Sequence, residues 1–234
     1  MRLALIALLL ASTPAFASVT VDYTGFSLTF SDNLTPTGTG DVSTGSGVLT
    51  GSDGNNYHHD DVEVSSLPLS LARVTSATPT DVIFSITFTA APGWQLSSLA
   101  YQVGGIATGK PLSFTASETV SGGFSPRTPS FNSPGGSYNG QPVLQWNAWN
   151  SYYNGDQPGQ PGITSFTVTG DLNFNGTNLD IFNPYGDAGV LNLSAARYVA
   201  TDAPPTPVPE PETSALMGLG LVGLAAGMRR KRKV

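Results

Sequence analysis

The sequence predicts an all-β fold, an antiparallel β-sandwich or jelly-roll-like domain with a helix flanking it at each end. Three observations predict this class. Apolar and polar residues alternate along many short segments, turn residues such as Gly-Gly and Asn-Gly separate those segments, and no interior segment longer than about ten residues has helical spacing. Many short strands without intervening helices favour antiparallel pairing around one core.

The first flanking helix is predicted at the N-terminus. Arg2 supplies a positive charge, residues 3–11 are continuously apolar, and Ala15 and Ala17 form an A-x-A cleavage signal. This order is typical of a secretory signal peptide, and cleavage would make Ser18 the first residue of the mature chain.

Residues 81–90 show the clearest strand pattern, because Phe84, Ile86 and Phe88 alternate with polar residues. In residues 18–30 the alternation changes phase at Gly25, which predicts a bulge there. Gly104-Gly105, Asn139-Gly140 and Asn175-Gly176 are predicted as turns. The further strand candidates are residues 47–50, 96–103, 112–116, 142–146, 163–174, 177–182 and 189–199.

Charge and cysteine content limit the class of protein. Between residues 18 and 207 four basic residues stand against fourteen acidic ones, a net charge of −10. The few basic residues are scattered, so the sequence lacks the footprint of a nucleic-acid-binding protein. An exported chain without cysteine has no disulfides, and its stability must come from a core, bound ions or assembly.

Residues 171–182 allow two interpretations. Asp171, Asn173, Asn175 and Gly176 match the first half of an EF-hand calcium loop. The twelfth position, where such a loop needs a bidentate carboxylate, is Phe182. The favoured interpretation is a hairpin in which Asn175-Gly176 forms a type I′ turn.

Residues 52–64 contain both histidines of the chain, His58 and His59, among several carboxylates. The favoured interpretation is a solvated polar loop. Imidazole and carboxylate groups also suit a metal ion, but adjacent residues on a strand point to opposite faces, so both histidines cannot bind one ion without a turn. If a metal binds, weak Ca²⁺ coordination by Asp53, Asp60 and Asp61 fits best.

Residues 144–156 form the densest aromatic patch. Aromatic faces beside amides suit stacking against sugar rings, which makes this a candidate glycan-binding surface. The favoured interpretation is that the rings belong to the core, because aromatic side chains dominate burial in most proteins. The four candidate residues are Trp146, Trp149, Tyr152 and Tyr153.

The sequence predicts a protein that is not an enzyme. It contains no nucleophile elbow, no metalloprotease motif and no phosphate-binding loop. A secreted hydrolase remains an alternative, because fourteen acidic residues allow many carboxylate pairs in space. No pair is singled out by the sequence.

The C-terminal segment has three parts in fixed order. A Val208-Pro209-Glu210-Pro211 motif precedes an apolar stretch at residues 214–228, which as a helix spans about 22 Å. This is shorter than the hydrocarbon core of roughly 30 Å, so insertion requires local thinning of the bilayer. The positive-inside rule keeps the final bases on the cytoplasmic side. Those bases are Arg229, Arg230, Lys231, Arg232 and Lys233.

These last 27 residues resemble the PEP-CTERM sorting signal of Gram-negative bacteria. The matching elements are Val208-Pro209-Glu210-Pro211-Glu212, the apolar helix and the basic terminus. The resemblance implies recognition by an exosortase, a membrane-embedded transpeptidase-like enzyme, and association with exopolysaccharide or biofilm.

The predicted organisation is therefore a signal peptide at residues 1–17, a β domain at 18–202, a Pro-rich linker at 203–208 and a sorting signal at 209–234. The expected route passes the Sec translocon and signal peptidase, includes a transient inner-membrane anchor, and ends at the cell surface or outside the cell. A structural surface or matrix protein is the leading functional prediction, and a glycan-binding module, with or without calcium, is the alternative.

Overall fold

The computed structural model describes residues 18–125, 127–154, 158 and 162–201, which form thirteen β-strands joined entirely by antiparallel pairing. The all-β antiparallel prediction is confirmed. The helices predicted at the two ends fall outside these residues, and the described part of the chain includes no helix able to cross a membrane. The strands are β1 (Val19–Tyr23), β2 (Phe26–Asp32), β3 (Leu34–Pro36), β4 (Asp41–Thr50), β5 (Asn56–Leu71), β6 (Val74–Ser76), β7 (Thr80–Ala90), β8 (Trp94–Ser121), β9 (Ser130–Asn132), β10 (Gly135–Tyr138), β11 (Gln141–Tyr153), β12 (Ser165–Phe182) and β13 (Gly189–Ala200).

All thirteen strands belong to one sheet that curls nearly into a barrel. Its main path runs β1-β2-β7-β12-β8-β13-β5-β3. The long strand β8 connects the two halves, because its first ten residues pair with β13 whereas its later residues pair with β12. The remaining edge of β8 pairs with β11 over residues 98–107. The sandwich prediction is thus refined to a single, strongly curved sheet.

The core lies inside this curved sheet and follows the predicted alternation. Phe84, Ile86 and Phe88 are fully buried on β7, as the sequence indicates. Strand β12 shows the same period of two from Phe166 to Gly176, and the alternation is interrupted at residues 177–178. Burying apolar side chains on one face of each strand is the main stabilising contribution available to a chain without disulfides.

Gly104-Gly105 lies within a strand, so the predicted turn at this position is wrong. Both glycines fall inside β8. A Cβ on Gly104 would lie 2.9 Å from the Trp146 carbonyl oxygen, and one on Gly105 would lie 2.8 Å from that of Phe182. The glycines therefore allow close backbone contact.

The bulge predicted at Gly25 is also wrong. Thr24 and Gly25 connect β1 to β2 as a two-residue hairpin loop, since Tyr23 pairs directly with Phe26. Gly25 has a φ of +86°, a left-handed conformation that glycine adopts without steric cost.

Asn175-Gly176 does not form the predicted hairpin, and the calcium-loop alternative is wrong for the same reason. The chain continues through both residues as β12, with register shifts against β8 on either side of Thr177. Residues before this irregularity pair with β7, whereas those after it pair with β6. The segment is thus an irregular bend inside a long strand.

Most of residues 52–64 form the first half of β5 rather than a solvated loop. Only the turn at Gly51–Asn55 precedes the strand, and Gly51 donates its backbone N–H to the Asn55 carbonyl at 2.8 Å. The segment pairs with β4 on one side and with β13 on the other. Its polar composition did not indicate a paired strand.

Candidate functional site

Strand β11 separates the four aromatic residues that were considered as one glycan-binding surface. Trp146 and Tyr152 point inward and are buried, at 2% and 1% exposure. Trp149 and Tyr153 point outward, at 38% and 71% exposure. The four rings therefore do not share one surface, and the favoured core interpretation holds for Trp146 and Tyr152 only, because alternate residues of a strand face opposite sides of the sheet.

The inward residues of β11 surround a carboxylate inside the curved sheet. Glu118 of β8 accepts a hydrogen bond from the Tyr101 hydroxyl at 2.5 Å and another from the Asn150 side-chain amide at 2.5 Å. The Tyr152 hydroxyl also donates to Glu118. We call Glu118, Tyr101, Asn150 and Tyr152 the Glu118 cluster.

Burial and the neighbouring Glu118 carboxylate both raise the pKa of Tyr101 and of Tyr152, with burial the larger cause. The phenols therefore stay protonated and act as donors to the carboxylate. Chemically the cluster is a satisfied polar network that fixes the positions of β8 and β11 relative to each other. The sequence contained one signal for it, since Glu118 is in phase with the apolar residues Phe114 and Ala116.

The three aspartates proposed for calcium do not converge. Asp53 lies in the turn before β5 and accepts a hydrogen bond from the Tyr57 hydroxyl at 2.6 Å. Asp60 and Asp61 are consecutive on β5 and so point to opposite faces. Within the described residues no group of three or more His, Cys, Asp or Glu side chains is placed to hold a metal ion, so these three aspartates do not form the common site that was considered.

Each of the two aspartates on β5 has its own partners. Asp61 lies 3.4 Å from His59 on the outer face, where the His59 ring also stacks on Tyr198. On the other face, Asp60 lies 3.3 Å from His58 and accepts two hydrogen bonds from Arg197. Alternation thus separates the two histidines, as the sequence indicated.

Asp60 and Arg197 lie beside an open pocket of about 470 Å³. Hydrogen bonds from Arg197 lower the pKa of Asp60, so the carboxylate stays ionised at neutral pH. The Arg197 guanidinium lies over the Trp94 ring at 5.6 Å, and Gly25 packs against the same indole. The pocket is lined by Thr24, Thr44, Gly45, Ser46, Asp60, Asp61, Val62, Trp94 and Arg197.

This pocket offers hydroxyl groups and a neutralised ion pair. Because Asp60 balances the charge of Arg197, the guanidinium is not free to select an anion, and Trp94 is covered by its neighbours and offers no open ring face. No sequence pattern indicated the pocket, since Trp94 and Arg197 lie far apart in the chain.

The sorting and cleavage residues lie outside the described part of the chain. This applies to Val208, Pro209, Glu210 and Pro211, to Ala15 and Ala17, and to the basic residues 229–233. Ser18, the expected first residue of the mature chain, lies one residue before β1 and is exposed.

The C-terminal segment is similar to a known protein family. Residues 207–232 match the PEP-CTERM protein-sorting motif. The chain is a PEP-CTERM domain-containing protein. The motif implies an exported protein that an exosortase sorts. The comparisons with curated proteins and with solved structures returned no match for this PEP-CTERM protein.

Proposed function

We propose that this PEP-CTERM protein is a non-enzymatic component of the cell surface or extracellular matrix, released after exosortase processing and associated with exopolysaccharide or biofilm. The observation that carries the proposal is the sorting motif at residues 207–232, in a chain that begins with a secretory signal pattern. Together, the N-terminal secretory pattern and the C-terminal sorting motif predict export from the cell.

The domain between the signals has properties suited to that destination. It is strongly acidic, which favours solubility at high concentration. It has no cysteine and holds together by a continuous core inside one curved sheet. Because the domain contains no cysteine, its folding after translocation does not depend on disulfide formation.

The proposal is tested by changing the sorting motif in the full-length chain. The double variant Pro209→Ala/Glu210→Ala should pass the Sec translocon and lose its signal peptide, yet accumulate as precursor in the inner membrane. The matched control is Pro204→Ala/Pro205→Ala, which lies in the same Pro-rich segment but outside residues 207–232. Fractionation followed by immunoblotting measures the distribution.

Release of the motif variant at the level of the control would contradict the proposal. Retention of both variants would contradict it as well, because the effect would then follow from the extended linker rather than from the motif.

A second candidate function, glycan binding, is favoured by the two outward rings of β11. Trp149 and Tyr153 lie on the same face of the strand, about 13 Å apart at 3.3 Å per residue. Both rings are exposed, and each presents a flat apolar face with a polar atom at its edge. Two such faces in line can contact successive parts of one extended polysaccharide.

The glycan hypothesis is tested by co-sedimentation of the mature protein with the polysaccharide of its host. Trp149→Ala/Tyr153→Ala should weaken binding by about tenfold, in the range of a lost aromatic hot spot. Tyr185→Ala is the control, because Tyr185 is equally exposed but lies in a loop between β12 and β13. Equal binding by all three proteins would exclude these rings as the binding surface.

A further inference from the structure

Among the strands that the structure describes, β4 has one edge without a partner. It pairs with β5 along all ten of its residues, and among the described strands none pairs with its other side. Nine of the ten residues are exposed on both faces of the strand. The backbone groups along this edge are therefore open to another strand.

The edge of β4 lacks the features with which proteins normally block strand addition. Its sequence, DVSTGSGVLT, contains no proline, lysine or arginine, and its one charged residue is Asp41 at the start. Strands β3 and β10 differ from β4 because they are short. Strand β3 has three residues and ends at Pro36, and β10 has four residues. A long edge without such features is a template for pairing.

The alternation of the antiparallel ladder determines which residues face this edge. In an antiparallel pair, the backbone N–H and C=O groups of successive residues point to opposite sides of the strand. Gly51 donates its N–H to the Asn55 carbonyl, so the odd-numbered residues of β4 direct these groups toward β5. The even-numbered residues then direct theirs outward. These are Val42, Thr44, Ser46, Val48 and Thr50.

The strand is complementary to itself in the register that this arrangement requires. An antiparallel pair centred on Gly45 places Val42 of one copy opposite Val48 of the other, and Thr44 opposite Ser46. Val42 and Val48 are 51% and 64% exposed, among the most exposed aliphatic side chains described. Pairs of β-branched residues directly opposite each other stabilise antiparallel strands.

The same register keeps the two Asp41 residues apart. The two Asp41 residues lie at opposite ends of the pair, separated along the strands by eight residues or about 26 Å. That distance exceeds the screening length of about 8 Å at physiological salt. Asp61 leans over Gly45 on the outer face, so the two copies of Asp61 approach each other at the axis, and each has its own His59 at 3.4 Å.

We propose that β4 pairs with β4 of a second copy of this chain about a two-fold axis at Gly45, so that the sheet continues from one molecule into the next. A second copy places hydrogen-bonding groups and apolar pairs in matching positions along this edge. The surface protein is therefore a dimer built by strand addition.

The oligomeric state of the mature protein released from its host tests the proposal. Sedimentation velocity over a range of concentrations should show a monomer–dimer equilibrium. Val48→Lys should raise the dimer dissociation constant at least roughly tenfold, because lysine on an edge disfavours strand addition. The control Val199→Lys, at 51% exposure but on β13 away from the edge, should leave it unchanged.

A second variant tests the backbone pairing itself. Ser46→Pro removes an N–H group that faces the free edge and none that faces β5, so the fold should remain while the dimer is lost. Circular dichroism confirms the fold of each variant.

Cross-linking tests the register. The chain contains no cysteine, so Val42→Cys and Val48→Cys each introduce one reporter thiol. Opposite residues in this register have Cα atoms about 5.5 Å apart, within the range that a disulfide spans. A mixture of the two variants should cross-link under mild oxidation, and each variant alone should not.

A protein that stays monomeric at its highest soluble concentration overturns the proposal. A dimer equally stable in Val48→Lys and Val199→Lys overturns it too. Cross-linking of either single variant with itself, in place of the mixture, overturns the register centred on Gly45.

Discussion

Gly170 of β12 lies directly opposite Phe84 of β7, and the Phe84 ring occupies the space where a side chain at position 170 would lie. A Cβ built on Gly170 would be 2.2 Å from a ring atom. The Phe84 ring in turn meets Tyr101 edge to face at a centroid distance of 5.6 Å. The glycine therefore makes room for an aromatic contact at the centre of the core.

We expect Gly170→Ala to destabilise the domain by about 1–3 kcal/mol, because the added methyl group forces Phe84 out of its place in a packed core. Urea unfolding of the mature protein measures the change. Gly135→Ala is the control, since a Cβ there meets no atom within 4 Å and the backbone is not left-handed. Equal stability of the two variants would show that the core around Phe84 adapts freely.

Glu118→Ala should destabilise the domain by about 2–4 kcal/mol. The substitution leaves two buried phenols, those of Tyr101 and Tyr152, without their acceptor, and each unsatisfied group costs about 1–3 kcal/mol. Glu63→Ala provides the control, because Glu63 is exposed on the outer face of β5. A loss no larger than that of the control would mean that the Glu118 cluster contributes nothing to folding.

The same cluster predicts a loss of stability in alkali. The pKa values of Tyr101 and Tyr152 are raised in the folded state, so unfolding releases their protons above the ordinary tyrosine pKa of 10.0. The resulting stabilisation is fully present below about pH 10 and is lost as the pH rises. We expect Tyr101→Phe/Tyr152→Phe to lose less stability between pH 8 and pH 11 than the unmodified protein. Urea titrations at the two pH values measure this, and equal losses would contradict it.

The Asp60–Arg197 pair predicts the opposite response in acid. Hydrogen bonds from Arg197 lower the pKa of Asp60 in the folded state. The associated stability is present above the ordinary aspartate pKa of about 3.9 and is lost as the pH falls toward the lowered value. Asp60→Asn should therefore show a smaller fall in melting temperature between pH 6 and pH 3 than the exposed-residue control Asp41→Asn. An identical fall in both would contradict this role for Asp60.

Local sequence was sufficient where a single strand or turn decides its own geometry. Alternation placed Phe84, Ile86 and Phe88 in the core, and Asn139-Gly140 forms a hairpin turn with φ values of +49° and +76°. The chemistry of this dipeptide matches the left-handed conformations that a tight turn needs.

The same dipeptide at Asn175-Gly176 failed as a predictor, and the reason is long-range pairing. Strand β12 is paired with β7 and β8 before this point and with β6 and β8 after it, so its neighbours keep the chain extended. The positive φ appears instead at Asn178, inside the irregular stretch. Pairings between residues about 100 positions apart are not visible in local patterns.

The candidate functional residues also differ in whether local sequence was enough to predict them. The sorting motif was recognisable because its elements are contiguous, and its match at residues 207–232 confirms it. The Glu118 cluster and the Asp60–Arg197 pair were not predicted, because each joins residues of two strands that local sequence patterns do not bring together. The hypothesis of one shared aromatic surface failed because aromatic residues occupy both the inward and the outward positions of β11.

The intact mass of the protein released at the cell surface tests the central claim most directly. We expect a chain that begins at Ser18 and ends close to Pro209-Glu210-Pro211, without the apolar stretch and the five terminal bases. Recovery from the surface of a form that retains peptides beyond Met228 would contradict sorting by an exosortase.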